Sequence, residues 1–221
     1  MILEHYYYYF RSALSEKLCN EILEYGKKHV LNDAVIHVDN PGGEDDFKPS
    51  LDVMTPEEKT HVLKKRKSNI AWLDDPWIYK EIHPFIHRAN EQAGWNFEWD
   101  FSEECQFTKY GKGQYYNWHA DAHHEPYGNE KKYNYFGKIR KLSVTVQLNK
   151  PEEFDGGNLE FSFRNGRDYD KNPEKAIHTC TEIRPQGSMV IFPSFVWHRV
   201  TPVTRGTRHS LVAWSLGKPW R

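Results

Sequence analysis

The sequence predicts an α+β protein that is mainly β, its antiparallel strands forming a sandwich or barrel with helices laid against one face. Three observations lead there. Helix-start signals and helical apolar spacing fill the chain up to residue 94. Beyond that point the apolar period shifts to two. Gly, Pro or Asn then separates about eight short strand-like runs, in "NKPEEFDGGN", "RPQGS" and "TPVTRGT".

Taken in order, residues 15–29 ("SEKLCNEILEYGKKH") place Leu18, Ile22, Leu23 and Tyr25 on one stripe behind Ser15 as N-cap, a short amphipathic helix. Residues 39–50 ("DNPGGEDDFKPS") read as a loop. "TPEEK" at 55–59 sets a capping Thr before a first-turn Pro and opens a helix. The same signature recurs at 75–76, followed by Ile78, Ile82, Phe85, Ile86 and Ala89 at helical spacing, with Pro84 expected to kink the helix. "WNFEWDF" at 95–101 alternates apolar and polar residues as a half-buried strand does. Further strands are expected at 104–110, 141–148, 158–163, 178–183, 188–192, 196–201 and 207–216. The chain is read as one domain over 1–221, with 1–94 as helical support carrying some strands and 95–216 as the β core.

With 221 residues the chain buries about 70% of its unfolded surface, so it needs neither disulfide nor structural metal to fold. Thirty basic residues face 31 acidic ones, which argues against a broad electrostatic grip on nucleic acid. The run "KKRK" at 64–67 is read as a solvated face. Cys19, Cys105 and Cys180 are far apart and odd in number, favouring a reducing cytoplasm over a disulfide framework. The N-terminal stretch, with an acid at position 4 and tyrosines at 6–9, does not read as a signal peptide, and no run is apolar enough to span a membrane.

The chemistry concentrates in "YYNWHADAHHEPYG" at 115–128. On a strand, residues i and i+2 point the same way, so His119 and Asp121 aim at one point while Ala120 faces away. His123 and His124 are assigned to the polar loop 122–138. A third ligand is offered by His198, a polar ring inside the β-prone run "IFPSFVWHRV". Two His and one carboxylate on one face of a metal leave open positions, as in non-haem Fe(II) oxygenases. Arg208 follows ten residues later, expected on the neighbouring antiparallel strand, where its fork suits a carboxylate. Arg208, Ser210 and Trp214 share one strand face, and Ser143, Thr145 and Gln147 form a polar face opposite Leu142, Val144, Val146 and Leu148. A polar inner wall suits a barrel whose mouth holds a charged ligand. Tyr115, Trp118 and Trp197, beside the ligands in sequence, are candidates for apolar shielding, though ordinary core filling explains them equally well.

These segments resemble the Fe(II)/2-oxoglutarate-dependent oxygenases, in particular their prolyl 4-hydroxylase-like branch with its bacterial and phage-encoded members. "KYGKGQYYNWHAD" looks like the strand leading into H-x-D, "RKLSVTVQLNKPEEFDGGNLEF" like the Arg-led strand and GG turn, and "PQGSMVIFPSFVWHRVTPVTRGTRHSLVAW" like the distal-His segment. The resemblance implies a double-stranded β-helix, a jelly-roll barrel, with His119, Asp121 and His198 as iron ligands. It implies Arg208 on the distal carboxylate of 2-oxoglutarate, helped by Tyr110 and Ser210, and Tyr116, Arg140 and Trp214 against substrate. Cofactors would be Fe(II), 2-oxoglutarate and O2, with ascorbate as an auxiliary reductant. The expected partner is a protein or peptide whose prolyl residue is hydroxylated with formation of succinate and CO2. The setting would be the host cytoplasm for a phage-encoded member.

Four other readings stay open. A free amino acid or other small molecule would serve as substrate at the same site. A zinc hydrolase would match "HADAHH" only with Asp standing where a second His belongs. An AlkB-type nucleic-acid demethylase would carry a second Arg where Trp214 stands. A binding module that lost its chemistry would have no use for an intact triad and Arg208.

Overall fold

The computed structural model describes residues 3–29, 32–33, 54–122, 125–128, 134–163 and 176–220. A short strand β1 (Tyr8–Phe10) precedes helix α1 (Glu16–Lys28). Strand β2 (Asn32–Asp33) comes before α2 (Pro56–Lys65), which runs directly into β3 (Arg66–Lys67) and β4 (Asn69–Leu73), ahead of α3 (Pro76–Gln92). The strands that follow are β5 (Phe101–Ser102), β6 (Cys105–Tyr110), β7 (Tyr115–His119), β8 (Ile139–Gln147), β9 (Phe154–Gly156) and β10 (Leu159–Ser162). They continue as β11 (Ile177–Thr179), β12 (Met189–Pro193), β13 (Trp197–Val200), β14 (Val203–Gly206) and β15 (Arg208–Gly217). The expected loop at 39–50 lies outside the described residues, as do His123 and His124.

Two antiparallel sheets face each other. The major sheet runs β1-β12-β8-β15-β6-β4-β2 with β5 beside β15, the minor one runs β11-β10-β13-β7-β3, and β14 pairs with β9 at one end. Strict alternation along the shared strands divides the protein into two cores. Met189 and Ile191 of β12 join Leu142, Val144, Val146, Leu211 and Ala213 against Ile22, Ile78, Ile82 and Ile86 of the helices. Val190 and Phe192 point the other way, into the space between the sheets with Leu159, Phe161 and Val200. The polar faces read from sequence are therefore interior: Ser143, Thr145, Gln147, Arg208 and Ser210 are all buried on the barrel side.

Local signals set the helices. Ser15 accepts a hydrogen bond from Leu18 N, and Thr55 forms a reciprocal capping box with Glu58. α1 presses onto the sheet at Gly26, where a Cβ would meet the Phe107 ring at 2.5 Å, so only glycine permits that approach. α3 runs unbroken through Pro84.

Four expectations are corrected here. "WNFEWDF" buries Trp95 and Phe97 in the expected alternation, but residues 95–100 join no sheet. The Asn90 side chain instead bonds Phe97 through both N–H and C=O, and Asn96 turns at φ 50. The strand expected at 178–183 ends at Thr179, and Thr181–Ile183 is a 3-10 turn. "NKPEEFDGGN" and "TPVTRGT", read as turns, each contain a strand, and these two strands (β9 and β14) pair with each other. "KKRK" is only partly a solvated face: Arg66 is 5% exposed, bonded to Ser68 Oγ at 2.8 Å and Gln106 Oε1 at 2.6 Å.

His209 shows what the helix-side core costs a polar ring. It lies over Phe107 with 5.6 Å between ring centroids, and its Nδ1 is buried with no hydrogen-bond partner among the described residues. Burial, aided by the charges of Lys27 and Lys109, pushes its pKa down from 6.5 to about 4. The unfolded chain therefore binds the extra proton first, and stability falls as pH drops from 6.5 towards 4, by on the order of 3 kcal/mol. His209→Leu should flatten this acid limb, read as the urea midpoint across that window; an unchanged slope would show that His209 is not its source.

Candidate metal centre

His119 closes β7 and stands opposite His198 of β13 in the strand register. Asp121 lies just past the end of β7, so the H-x-D motif straddles a strand terminus instead of lying within a strand. It is held there by the turn between β12 and β13, since the N–H groups of Asp121 and Ala122 both donate to Ser194 O at 2.9 Å. Ser194 in turn bonds Lys141 O and pairs its hydroxyl with Ser143 at 2.9 Å, tying the third ligand to the major sheet. One ligand atom from each of His119, Asp121 and His198 lies within 4.8 Å of the others.

The imidazoles are oriented from behind. His119 Nδ1 is 2.8 Å from Asn117 O and His198 Nδ1 is 2.9 Å from Val196 O. A carbonyl only accepts, so each Nδ1 carries the proton and each Nε2 presents its lone pair inward. The two Nε2 atoms stand 3.5 and 3.6 Å from the two oxygens of Asp121. Burial, reinforced by His119, pushes His198 down to about 4. Burial alone would raise Asp121, but in acid, where His198 and His119 become protonated, their charges hold its carboxyl well below the usual range, so it stays ionised at neutral pH. Neutral imidazole and ionised carboxylate are the forms that bind a metal. Two nitrogens and one carboxylate at this spacing fit a divalent iron held on one face.

A β-bulge decides what surrounds the ligands. His198 pairs with His119, but Val200 pairs with Tyr116, so β7 carries one extra residue between them. Tyr116 and His119 consequently turn to the same side, their rings stacked at 3.5 Å with 12° between planes. The Arg66 guanidinium caps Tyr116 from 4.4 Å. On the far side Phe192 meets His198 edge-on at 4.7 Å, with Phe161 at 6.4 Å. These are the apolar walls, in place of Tyr115, Trp118 and Trp197. Tyr115 donates outward to Leu63 O, Trp118 lies under Arg199 at 4.6 Å, and Trp197 is 39% exposed.

Arg208 sits in the major sheet, paired with Tyr110, whereas His198 belongs to the minor one. The expectation of a neighbouring strand fails because β14 intervenes and carries the chain across the barrel. The arginine is 2% exposed, and Gly157, at φ +58, leaves it room: a Cβ there would lie 3.0 Å from Arg208 Cδ. Nε donates to Gln147 Oε1 at 3.0 Å, but Nη1 is buried with no partner among the described residues. Burial lowers its pKa to about 10, which leaves it cationic at neutral pH. A buried, half-partnered guanidinium is set up to receive an anion. Ser210 is buried two residues along the same strand.

Arg140 and Trp214 meet each other, with the guanidinium 4.0 Å above the indole. Glu103, which sequence reasoning missed, takes Arg140 in a fork at 2.8 and 2.6 Å and accepts from Tyr127 at 3.0 Å. Burial opposes the Arg140 charge, yet Glu103 holds its pKa above the ordinary value. Trp72, 45% exposed, lies 6.1 Å from Trp214.

Two facing antiparallel sheets around a His-Asp-His centre, with a buried cation in the opposite sheet, define a protein of the double-stranded β-helix type with a candidate site for a single metal ion. A sequence profile of the 2OG-Fe(II) oxygenase superfamily matches residues 105–216, just over half of the chain, and the chain belongs to that superfamily. A PKHD-type hydroxylase of Hyphomonas neptunium is 44% identical over 73 residues, 33% of this chain and 27% of that protein. A PKHD-type hydroxylase of Shewanella frigidimarina is 33% identical over 109 residues, 49% of this chain and 41% of that protein. The matches thus span less than half the length of these relatives. Among solved structures, a prolyl-4-hydroxylase of Pseudomonas putida has a TM-score of 0.61 at 20% identity, covering 98% of this chain and 95% of that one. The viral collagen prolyl hydroxylase of Paramecium bursaria Chlorella virus-1 in its 2OG complex has a TM-score of 0.62 at 18% identity, covering 97% of both chains. These two share the fold.

Two outcomes follow from this geometry. His198→Ala should weaken Fe(II) binding by more than the roughly 10–100-fold typical of losing an outer partner, while melting stays cooperative; unchanged iron affinity by calorimetry would remove His198 from the ligand set. Glu103→Ala leaves Arg140 buried without its carboxylate and should cost about 3–5 kcal/mol of unfolding free energy. A denaturant midpoint equal to wild type would show that the pair carries no such strain.

Proposed function

We propose that this chain is an Fe(II)- and 2-oxoglutarate-dependent hydroxylase acting on a prolyl residue of a protein or peptide. The observation that carries the reading is the pairing of a His-Asp-His triad (Asp121 and His198 buried, His119 half-buried) with a separate buried guanidinium whose Nη1 has no partner among the described residues. Iron bound at His119, Asp121 and His198, supplied with 2-oxoglutarate and dioxygen, would provide the oxidising power that converts C–H to C–OH, with succinate and CO2 as co-products.

The protein's own contribution is orientation and exclusion of water. Arg208 would hold the distal carboxylate of 2-oxoglutarate through its free N–H, with Gln147 fixing the other side of the fork and Tyr110 and Ser210 completing the pocket. Tyr116, Phe192 and Phe161 keep the ligand histidines dry. Arg140, fixed by Glu103, and Trp214 would shape the place where substrate lies, with the exposed Trp72 beside them. A peptide substrate is supported by the solved prolyl hydroxylase of Trichoplax adhaerens, which is in complex with a peptide fragment.

The decisive assay offers proline-containing peptides to the Fe(II)-loaded protein with 2-oxoglutarate and seeks an added oxygen on proline by mass spectrometry. Succinate formed with no peptide bearing oxygen would discard the prolyl substrate, and no succinate under any condition would discard the oxygenase. Arg208→Ala should weaken 2-oxoglutarate binding by about 1.5–3 kcal/mol, roughly ten- to a hundredfold, without altering iron affinity. Arg208→Lys should fall between, keeping charge but losing the fork. Anaerobic titration of 2-oxoglutarate into the three iron-loaded proteins decides it; equal affinities would remove Arg208 from the cosubstrate site.

A further inference from the structure

Tyr7, in the run of four tyrosines at 6–9, lies outside the site described above yet is joined to it by rings. It stacks on Phe161 at 5.1 Å with 12° between planes, and Phe161 lies 6.4 Å from the His198 ring. A second route passes through Phe192, 5.0 Å from Phe161 and 4.7 Å from His198. Outward, Tyr7 meets Tyr9 at 6.3 Å, and Tyr9 is 39% exposed. A continuous file of aromatic rings therefore runs from a candidate iron ligand to solvent.

The hydroxyl of Tyr7 is placed for proton loss. It donates to Glu182 Oε1 at 3.2 Å and lies 2.9 Å from His178 Nε2. Glu182 Oε2 is buried with no hydrogen-bond partner among the described residues, so that carboxylate keeps spare acceptor capacity. A phenol gives up an electron readily when its proton can leave in the same step, because a charged radical is avoided. Other oxidisable rings of the described residues, Tyr116 on the ligand His119 first among them, are protected in the opposite sense. Tyr116 lies 4.4 Å beneath Arg66, Tyr110 lies 5.8 Å beneath Arg208, and Trp214 lies 4.0 Å beneath Arg140. A cation over a ring is attracted to its electrons and opposes removing one. Among the described residues no cation lies over Tyr7.

We propose that Tyr7 is a redox-active tyrosine that discharges the metal centre when 2-oxoglutarate is consumed with no substrate bound. One electron passes from Tyr7 through Phe161 to the centre, and a second follows by the same route once Tyr7 has been re-reduced. Two electrons and two protons from solvent thus restore the centre and release the oxygen atom as water. The Tyr7 O–H bond breaks, its proton goes to Glu182, and a neutral tyrosyl radical remains. A small one-electron donor of the ascorbate class returns the electron at the surface through Tyr9, and the proton moves back from Glu182. Tyr116, stacked on His119, is thereby spared oxidation. The proposal rests on the iron and 2-oxoglutarate reading above.

The test mixes anaerobic protein, loaded with Fe(II) and 2-oxoglutarate but no peptide, with oxygenated buffer, and freezes samples for electron paramagnetic resonance while succinate is assayed in parallel. Wild type should show an organic radical whose hyperfine pattern changes when the protein is made with ring-deuterated tyrosine. Tyr7→Phe should form succinate at the wild-type rate, lose the radical and accumulate oxidised Tyr116 by peptide mass spectrometry. Phe161→Leu and Glu182→Gln, which interrupt the electron and proton routes separately, should each lower the radical yield. Succinate without any radical in wild type, an undiminished radical in Tyr7→Phe, or a radical abolished by Tyr116→Phe would each overturn the assignment. No succinate from wild type would overturn the underlying oxygenase reading instead, so the two failures are distinguishable.

Discussion

The pairing of β13 with β7 is the constraint on which the centre depends. It sets His198 opposite His119, and the extra residue in β7 then turns Tyr116 to the same side as the histidine. A one-residue shift in a strand exchanges its two faces. Without the bulge, Tyr116 and His119 would occupy opposite faces and the stacked wall behind the ligand would be lost. The third ligand belongs to no strand and is fixed by two N–H bonds to Ser194, itself tied to the major sheet through Lys141 and Ser143. The ligand set is thus held from both sheets, as a preorganised site requires.

Among the described residues, the guanidinium groups of Arg140, Arg66 and Arg208 are each compensated differently. Arg140 has a full carboxylate fork from Glu103. Arg66 has two neutral partners, Ser68 and Gln106, and the face of Tyr116. Arg208 has one neutral partner and an unsatisfied Nη1 among the described residues. Buried charge is tolerated only when paired or hydrogen-bonded, so this gradient distinguishes a structural cation from one kept ready for a ligand. The least satisfied of the three is also the most buried, at 2% exposed beside the Gly157 turn.

Support for this interior comes from the other face of the same strands. Val144, Val146, Leu211 and Ala213 pack against α1 and α3, so the strands carrying Thr145, Gln147, Arg208 and Ser210 are anchored by apolar contact on their reverse side. Truncating such a residue typically costs about 2–5 kcal/mol, far more than a surface change. Polar groups can then line the barrel without loosening it. All three cysteines are free and buried, and among the described residues no helix is long and apolar enough to cross a membrane.

What the sequence determined by itself was whatever depends on short range. Ser15 and Thr55 cap their helices because the bonds they make lie within three residues. The alternation in β8 and β15 assigned faces correctly because a strand has no other way to dispose neighbours. The residue types of His119, Asp121, His198 and Arg208 already stated the chemistry, and their motif spacing tied them to one family. Tertiary structure decided everything that requires knowing which segment lies opposite. The bulge in β7 leaves no mark in "YYNWH", since an extra residue is defined only against its partner strand. Arg66 looked like one charge in a solvated run until β3 placed it over Tyr116, and Glu103 became legible only as the carboxylate facing Arg140. Phe161 and Phe192 were ordinary apolar positions in sequence; the closing of two sheets on one another put them against His198, because packing neighbours in a barrel come from strands far apart in the chain.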